Sequence, residues 1–367
     1  MRVAHICQIA DPNIGGSLTV ARALIKAQRK QGMDARLVFL YGGEMQAGRS
    51  PDTEYELFCQ VDRRWRWLKG IAVLRRRLRS IAPDIIHHHD GILWPRLATA
   101  GLKRPLLTHG HLGRPQAALS SSSYWTHRYI AAHTDCLVAI SDLVAESWVR
   151  GGFPRERTRL IPNGVDCERF HPRSAEVRSN VRAGLGLSAT QKFVLWAGRL
   201  DRETKGLDRL VATARRLSED SRLVVAGDGP ARGWLAGEVG QLSANRRPIL
   251  LGKVNDPADL FGAADAFLFT SKVETFGLVL LEAVASGLPI FAFECEGGGR
   301  ELLRHLGGLV VAEGDVAVLA QAIASVSVTE ANRRMVEQVR REYSWTAVER
   351  ATRTAYAEFS ARRNNLR

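Results

Sequence analysis

The sequence predicts an α/β protein with two doubly wound, Rossmann-like domains in tandem. At 367 residues the chain is longer than the roughly 100–200 residues of one domain, so two domains are expected. Short apolar runs alternate with longer amphipathic stretches from one end of the chain to the other. The runs are almost wholly apolar, which is typical of parallel strands that are covered by helices on both faces.

The predicted elements follow in chain order. In the first half, strands are predicted at residues 3–9, 35–39, 85–88, 106–109, 136–140 and 158–161, and helices at 18–31, 67–81 and 142–150. After a polar connection at residues 172–188 the alternation starts again, with strands at 193–197, 222–226, 249–251, 266–269, 289–293 and 308–311. Apolar residues at helical spacing predict a last helix at residues 344–359.

Composition and charge exclude several classes of protein. A hydrophobic content of 45% with 25% charged residues is that of a globular chain, so extended disorder is excluded. The net charge is +14, and residues 1–170 carry 25 basic against 15 acidic side chains. This excess indicates an anionic partner, which could be a membrane surface, a nucleic acid or a phosphorylated substrate. Five scattered cysteines without a CxxC pair argue against disulfides and a zinc site, and favour a reducing cytosol.

The apolar segments predict a soluble, cytoplasmic protein. The opening VAHICQIA is short, is followed by Asp-Pro and lacks a small-residue cleavage site, so we expect a first strand rather than a signal peptide. No uncharged apolar run reaches the length of about 18 residues that is needed to cross a bilayer.

Two glutamates near the end of one predicted strand suggest a nucleotide-sugar site. In doubly wound sheets, ligands bind beyond the carboxyl ends of the strands, and two facing domains would form a cleft there. The segment ETFGLVLLE follows the strand at 266–269, with Glu274 in a loop and Glu282 about two turns inside a helix that begins at Phe276. The free N–H groups near Gly277 and Leu278 would point at a phosphate. The alternative is a helix-capping glutamate and an exposed one.

A basic loop after another strand is suited to a diphosphate. The segment GRLDRETKG follows the strand at 193–197 and carries Arg199 and Lys205. Two cations at one strand end can neutralise a diphosphate, so a divalent metal would be unnecessary, and no DxD carboxylate pair is present to hold one. The alternative is a solvated basic loop.

Histidines gather at the ends of two first-domain strands. His87, His88 and His89 end one strand, and His109 and His111 end the next. Because side chains alternate between the faces of a strand, three consecutive histidines cannot reach one ion, and no metal site is predicted. His109 is best placed to orient a sugar or to handle a proton. The alternative is a histidine whose hydrogen bonds are satisfied within its own domain.

Residues 63–79 form a basic amphipathic stretch. They include eight basic residues and no acidic one, with apolar residues at helical spacing. One interpretation is a helix packed on the sheet with a solvated outer face. The other is a surface that rests on anionic lipid headgroups, with Trp65 or Trp67 near the interface.

Together these motifs resemble the retaining glycosyltransferases of family 4, whose GT-B fold has two Rossmann-like domains facing across a cleft. The likeness runs along nearly the whole chain and in the same order, through IGGSLTVARAL, IPNGVD, GRLDRETKG, VAGDGP, ETFGLVLLE and SWTAVERATRTAYAEF. In that family the last helix crosses back onto the first domain. The resemblance therefore implies a first domain of residues 1–170 with 344–367 and a second domain of residues 171–343.

The resemblance implies a hexosyl transfer with retention and without a metal or other cofactor. Arg199 and Lys205 would hold the donor diphosphate and stabilise its charge as it leaves, while it takes the proton of the acceptor. Glu274 would contact the donor sugar and Glu282 the ribose. The donor is expected to be a UDP- or GDP-linked sugar, and the acceptor a glycan, lipid-linked or phosphorylated molecule of envelope or exopolysaccharide synthesis.

The remaining implied contacts come from backbone and from the first domain. Gly277 and Leu278 would offer backbone N–H groups, and Gly16 would lie near the phosphates and the acceptor. His109, in LLTHGH, looks like the active-site histidine of the family, and His111 competes with it for that assignment.

Three other classes stay open. A sugar-nucleotide epimerase of the same fold would share the donor site but needs acid and base carboxylates beside the sugar. A dinucleotide oxidoreductase would need a G-x-G-x-x-G fingerprint, which the turn at residues 11–17 lacks. A nucleic-acid-binding protein would not need the paired glutamates and cations, and no motif for that function accompanies the basic stretch.

Overall fold

A computed structural model describes residues 1–9, 16–41, 55–59, 68–89, 93–111, 121–188, 190–327 and 329–365. The chain forms two compact units, of which unit 1 is Met1–Gly164 with Trp345–Arg367 and unit 2 is Val165–Ser344. Each unit has its own parallel sheet with helices, so the predicted α/β class with two doubly wound domains is confirmed.

Unit 1 contains a seven-stranded parallel sheet. Its strands are β1 (Arg2–Ile9), β2 (Asp34–Tyr41), β3 (Glu56–Phe58), β4 (Ile85–His88), β5 (Leu106–Gly110), β6 (Cys136–Ala139) and β7 (Thr158–Leu160). Its helices before the crossing to unit 2 are α1 (Gly16–Lys30), α2 (Leu68–Ile81), α3 (Leu93–Thr99), α4 (Ser121–Ala132) and α5 (Asp142–Arg150). The strand order is β3-β2-β1-β4-β5-β6-β7.

Unit 2 contains a six-stranded parallel sheet. Its strands are β8 (Lys192–Ala197), β9 (Ser221–Ala226), β10 (Ile249–Gly252), β11 (Ala266–Phe269), β12 (Ile290–Phe293) and β13 (Leu309–Val311). Its helices are α6 (Ala175–Gly184), α7 (Arg202–Lys205), α8 (Leu207–Arg216), α9 (Arg232–Gly240), α10 (Ala258–Ala263), α11 (Leu278–Ala285), α12 (Gly298–Leu306), α13 (Val316–Ala324) and α14 (Glu330–Tyr343). The strand order is β10-β9-β8-β11-β12-β13.

The last helix, α15 (Trp345–Asn365), packs on unit 1. Tyr356 and Phe359 lie in the same buried cluster as Leu24 of α1 and Val138 of β6. At the start of α15 the Trp345 ring covers Gly164, where a Cβ atom would stand only 2.7 Å from that ring.

Strand alternation in unit 1 divides buried side chains between two faces of the sheet. On β1, Val3 contributes to the cluster beneath α1 and α15, whereas its neighbour Ala4 contributes to the cluster beneath α2 and α3. On β4, Ile85 and Ile86 divide in the same way. This alternation decides which face of the sheet the histidines along β1, β4 and β5 occupy.

The polar stretch at 172–188, which the sequence predicts as a connection, is largely helical. It contains α6, which Ser174 caps by accepting a hydrogen bond from the Val177 N–H. Arg178 and Arg182 hold this helix to the carboxylate of Asp265 at 2.8 and 3.0 Å. The sequence pattern did not indicate this helix, because a helix anchored by ion pairs lacks the apolar stripe that identifies helices in a sequence.

Among the described helices, none combines the length and the apolar character that crossing a bilayer requires.

Candidate active site

An ion pair in unit 2 joins two residues that are 69 positions apart in the sequence. The Lys205 ammonium donates to the Glu274 carboxylate, and both side chains are largely buried. Lys205 ends α7, whose start Asp201 caps through the Thr204 N–H at 2.9 Å, and Glu274 follows β11. Two residues of the predicted site, a cation and a carboxylate, are thus in direct contact.

Hydrogen bonds to residues at the ends of two strands, β8 and β11, fix the position of Lys205. Thr270 donates its hydroxyl to the Lys205 carbonyl at 2.7 Å and accepts a hydrogen bond from the Trp196 indole at 2.9 Å. Gly206 has φ +59°, and a Cβ atom there would stand 2.2 Å from the Thr270 carbonyl oxygen. This turn therefore accommodates glycine alone without a backbone shift.

The loop of Glu274 rests on the loop that follows β12. The Glu274 N–H donates to the Glu296 carbonyl at 3.0 Å, and the Gly299 N–H donates to the Glu274 carbonyl at 3.1 Å. A Cβ atom on Gly299 would stand 2.9 Å from the Glu274 Cβ. Sequence reasoning missed this contact, although the run of three glycines at 297–299 was a visible signal of close backbone approach.

Arg209 is a second residue that the sequence did not single out. Its guanidinium donates to the Glu294 carbonyl at 2.9 Å and pairs with Glu313 at 3.2 Å. It also reaches the carbonyl oxygens of Thr270 and Ser271 at 3.4 Å. The side chain therefore ties together the chain segments that follow β11, β12 and β13.

The helix after Glu274 begins later than expected. Gly277 adopts φ +96° at its N-cap, so α11 starts at Leu278 rather than at Phe276. Glu282 consequently lies about one turn inside the helix, not two. Burial raises the pKa of the Glu282 carboxyl to about 7, against the opposing charge of Arg169. The first N–H groups of such a helix lack intrahelical acceptors and favour an anion.

Arg199 is more loosely held than Lys205. Its guanidinium pairs with Asp201 at 3.1 Å, and its side chain is 63% exposed. Gly16, in unit 1, is exposed as the first residue of α1. Residues 11–15 of the predicted glycine turn lie outside the described residues.

Five histidines, four of them buried and one half-buried, form a cluster on one face of the unit 1 sheet. The members are His5, His87, His89, His109 and His111. Burial lowers the pKa of each imidazole, so the rings are neutral at pH 7. Strand alternation places His88 on the opposite face, beside Arg96.

His109 and His111 differ in their contacts. His109 is buried, and neither of its ring nitrogens has a hydrogen-bond partner among the described residues. His111 is half-buried, stacks on His109 with 4.4 Å between ring centroids and 3° between planes, and bonds to His89. An unpaired buried imidazole is costly, so His109 is a candidate for contact with a ligand.

Two sets of three histidines bring one nitrogen each within 4.8 Å of the others. They are His5, His87 and His89, and His89, His109 and His111. A metal ion lies in the ring plane of each imidazole that binds it, whereas His109 and His111 are parallel and stacked. The second set therefore fits a metal poorly. In the first set, His5 and His89 are already bonded to each other at 2.9 Å.

The basic stretch divides between the core and the surface. In α2, Leu74 and Leu78 are buried against the sheet, while Lys69, Arg76 and Arg79 are exposed. Arg75 instead donates to the Ala100 carbonyl at 2.7 Å, so this side chain stabilises the fold of unit 1. Residues 63–67, including Trp65 and Trp67, lie outside the described residues.

Two family models match the chain. Glycosyl transferases group 1 matches residues 177–342, and Glycosyltransferase Family 4 matches residues 14–169. The chain is 29% identical over 238 residues to the uncharacterized glycosyltransferase MJ1607 of Methanocaldococcus jannaschii, covering 60% of each protein. It is 30% identical over 281 residues to the D-inositol 3-phosphate glycosyltransferase of Xylanimonas cellulosilytica, covering 72% of this chain and 65% of that protein. The match thus spans less than two thirds of either relative.

Solved structures share the fold over nearly the whole chain. Anabaena HepE in complex with UDP superposes with a TM-score of 0.83 at 19% identity, covering 98% of this chain and 100% of HepE. Sucrose-phosphate synthase from Thermosynechococcus elongatus superposes with a TM-score of 0.77 at 22% identity, covering 99% and 100%.

Proposed function

The chain belongs to the family 4 glycosyltransferases of the GT-B fold, and from this premise we propose that it transfers a hexose from a nucleotide-sugar to an acceptor hydroxyl with retention. The ion pair of Lys205 with Glu274 carries the proposal. It places a cation and a carboxylate at one end of the unit 2 sheet, as a sugar diphosphate requires. HepE has been solved with UDP and with UDP-glucose, so UDP-glucose is the first donor to test.

Donor binding would redistribute the charges of this pair. The diphosphate would take Lys205 as a counterion, and Glu274 would then accept hydrogen bonds from sugar hydroxyls. Arg199, which is mostly exposed beside Asp201, is free to turn toward the same phosphates. Glu282 would accept from the ribose, and the N–H groups around Gly277 would face the phosphates.

The transfer itself needs no nucleophile from the protein. The bond from the anomeric carbon to the diphosphate oxygen breaks, and the acceptor oxygen bonds to that carbon on the same face. The acceptor proton passes to the leaving diphosphate, whose charge Lys205 and Arg199 stabilise. His109, with two unpaired ring nitrogens among the described residues, would bind a sugar hydroxyl near the reacting centre.

We also propose an acceptor that is lipid-linked or phosphorylated, reached at an anionic membrane surface. The exposed cations of α2, which are Lys69, Arg76 and Arg79, support this proposal because they lie opposite the buried apolar face of the helix. Cytoplasmic enzymes that build envelope glycans on lipid carriers would meet such a surface.

A panel of sugar nucleotides with mass spectrometry of the products tests the function. We expect donor-dependent release of a nucleoside diphosphate, with hexose added to an acceptor or to water. A 2-epimerised sugar as the product would establish the epimerase instead. Nucleoside diphosphate release at the wild-type rate in both the Lys205→Ala and the Glu274→Ala variant would refute the assignment of this site.

A further inference from the structure

A chain of end-to-end hydrogen bonds runs through the histidine cluster of unit 1. Gln28 of α1 bonds His5 at 2.8 Å, His5 bonds His89 at 2.9 Å, and His89 bonds His111 at 3.2 Å. The first three members are fully or almost fully buried, and His111 is half-buried at the end of β5. The chain thus leads from the protein interior to the carboxyl edge of the sheet.

The polarity of the chain is set at Gln28. The Gln28 carbonyl oxygen faces His5 Nε2, and a carbonyl only accepts, so that nitrogen carries the proton. A neutral imidazole has one N–H, so His5 Nδ1 must accept from His89 Nε2. His89 Nδ1 must then accept from His111 Nε2. His111 Nδ1 is left with a lone pair, and the network ends there among the residues that the structure describes.

Tyr356 contacts the other end of the Gln28 amide. The amide N–H of Gln28 donates to the Tyr356 hydroxyl at 3.1 Å, and that hydroxyl shares a hydrogen bond with His87 Nδ1 at 2.6 Å. A reversed amide would require every proton of the network to move to the other nitrogen of its ring. Because burial keeps the rings neutral, each carries a single proton and the polarity passes along the chain without loss.

We propose that this buried relay fixes the tautomer of His111, so that its Nδ1 is presented to the acceptor hydroxyl as a hydrogen-bond acceptor. His111 would orient the hydroxyl, while its proton still passes to the leaving diphosphate, and His89, His5 and Gln28 are positioning residues. The assignment to the acceptor rests on the proposed function. The tautomer does not, because it follows from the hydrogen bonds of the network and the neutral state of its buried rings. His109, stacked on His111, remains available for the sugar.

Nitrogen-15 NMR of histidine side chains tests the relay without substrate. The signals of His111 are assigned by their loss in His111→Asn, and in the wild-type protein we expect a proton on Nε2 and none on Nδ1. Gln28→Leu removes the carbonyl oxygen that fixes the proton on His5 Nε2, so His111 should then populate both tautomers. Gln28→Glu keeps an acceptor at His5 and should retain the original tautomer. His88→Leu is the matched control, because His88 is equally buried, lies on the opposite face and has no hydrogen-bond partner among the described residues.

Kinetics then test the role of the tautomer. We expect Gln28→Leu to lower kcat roughly 10- to 100-fold with an unchanged KM for the donor, and Gln28→Glu to restore much of the loss. A proton on His111 Nδ1 in the wild-type protein, or a stoichiometric metal ion in the purified chain, would overturn the relay. If the tautomer changes in Gln28→Leu while kcat stays at the wild-type level, the orienting role of His111 is refuted. Absence of any transferase activity would refute the proposed function and leave the NMR result standing.

Discussion

The two units handle polar groups in opposite ways. The site in unit 2 is built from charges, with Lys205 against Glu274, and these are positioned by glycine turns and backbone hydrogen bonds. The cluster in unit 1 is built from neutral imidazoles that burial prevents from ionising. A diphosphate needs fixed cations, whereas a neutral hydroxyl needs a directed lone pair. The difference therefore agrees with a division into a donor unit and an acceptor unit.

Removing the charges of unit 2 should have the largest effect. We expect Lys205→Ala and Glu274→Ala each to lower kcat/KM by about 2–4 kcal/mol of transition-state stabilisation, because the leaving diphosphate and the donor sugar each lose a partner. Lys272→Ala is the control, since Lys272 forms an ion pair with Asp208 at 2.7 Å in the same unit. The assay is steady-state transfer, with circular dichroism to establish that each variant is folded. A Lys272 variant as impaired as Lys205→Ala would mean that the effect is not local.

The backbone that supports these charges should be nearly as sensitive. Gly206→Ala forces a side chain against the Thr270 carbonyl at a positive φ, so we expect a loss of about 2 kcal/mol or more in the free energy of unfolding. Gly237→Ala, inside α9, is the matched control, because a Cβ atom added there would meet nothing within 4 Å. That variant should be neutral or more stable by about 0.5–1 kcal/mol. Urea denaturation measures both, and equal stability of the two variants would contradict the close packing at Gly206.

The features that the sequence predicted correctly differ in kind from those that it did not. Parallel strands such as β4 and β11 were predicted to the residue, because continuous apolar runs identify them. The family resemblance assigned Lys205 and Glu274 to one donor site, whereas the residues alone left an ordinary structural alternative for each. Their direct contact was not predicted. Thr270, Gly299 and Arg209 were missed because they act through backbone carbonyls and close approaches, which leave no periodic pattern.

The histidine relay shows a second kind of limit. The sequence grouped His87, His88 and His89 with His109 and His111, and alternation separates His88 from the others. It could not reveal His5 and Gln28 as partners, since β1 and α1 meet β4 only through the strand order of the folded sheet. The start of α11 was placed wrongly because the positive φ of Gly277 is a backbone property.

Donor binding should depend on pH through a carboxyl of unit 2, whereas the neutral histidines of unit 1 should add no pH dependence. Burial raises the pKa of Glu282 to about 7, so the carboxylate that we propose as the acceptor for the ribose hydroxyls is lost as the pH falls below 7. We expect the Kd for a nucleotide-sugar, whose phosphates do not titrate there, to rise by up to about tenfold per pH unit. Isothermal titration calorimetry between roughly pH 5.5 and 8.5, where folded proteins are generally stable, measures this.

The stability of a Glu282→Gln variant independently checks that folding raises the pKa of Glu282. A carboxyl whose pKa is raised on folding disfavours the native state once it ionises, so its cost grows from the unfolded pKa near 4.5 up to about 7 and is then constant. The melting temperature of the variant should therefore equal that of the wild-type protein at low pH and exceed it at pH values over 7. Donor binding by the variant should lose its pH dependence, and a dependence that persists would assign the titration to another group.

The exposed face of α2 should produce the smallest effect, limited to membrane binding. Reversing Lys69, Arg76 and Arg79 to glutamate removes three cations, each worth about 1 kcal/mol near an anionic leaflet, and leaves the buried side of the helix intact. We expect partitioning into phosphatidylserine vesicles at low salt to fall by more than tenfold, with unchanged transfer to a soluble acceptor. Reversal of the exposed Arg333, Arg334 and Arg340 on α14 of unit 2 is the control. If both triple variants partition equally, net charge rather than the α2 face binds the lipid, and the membrane surface no longer distinguishes unit 1 from unit 2.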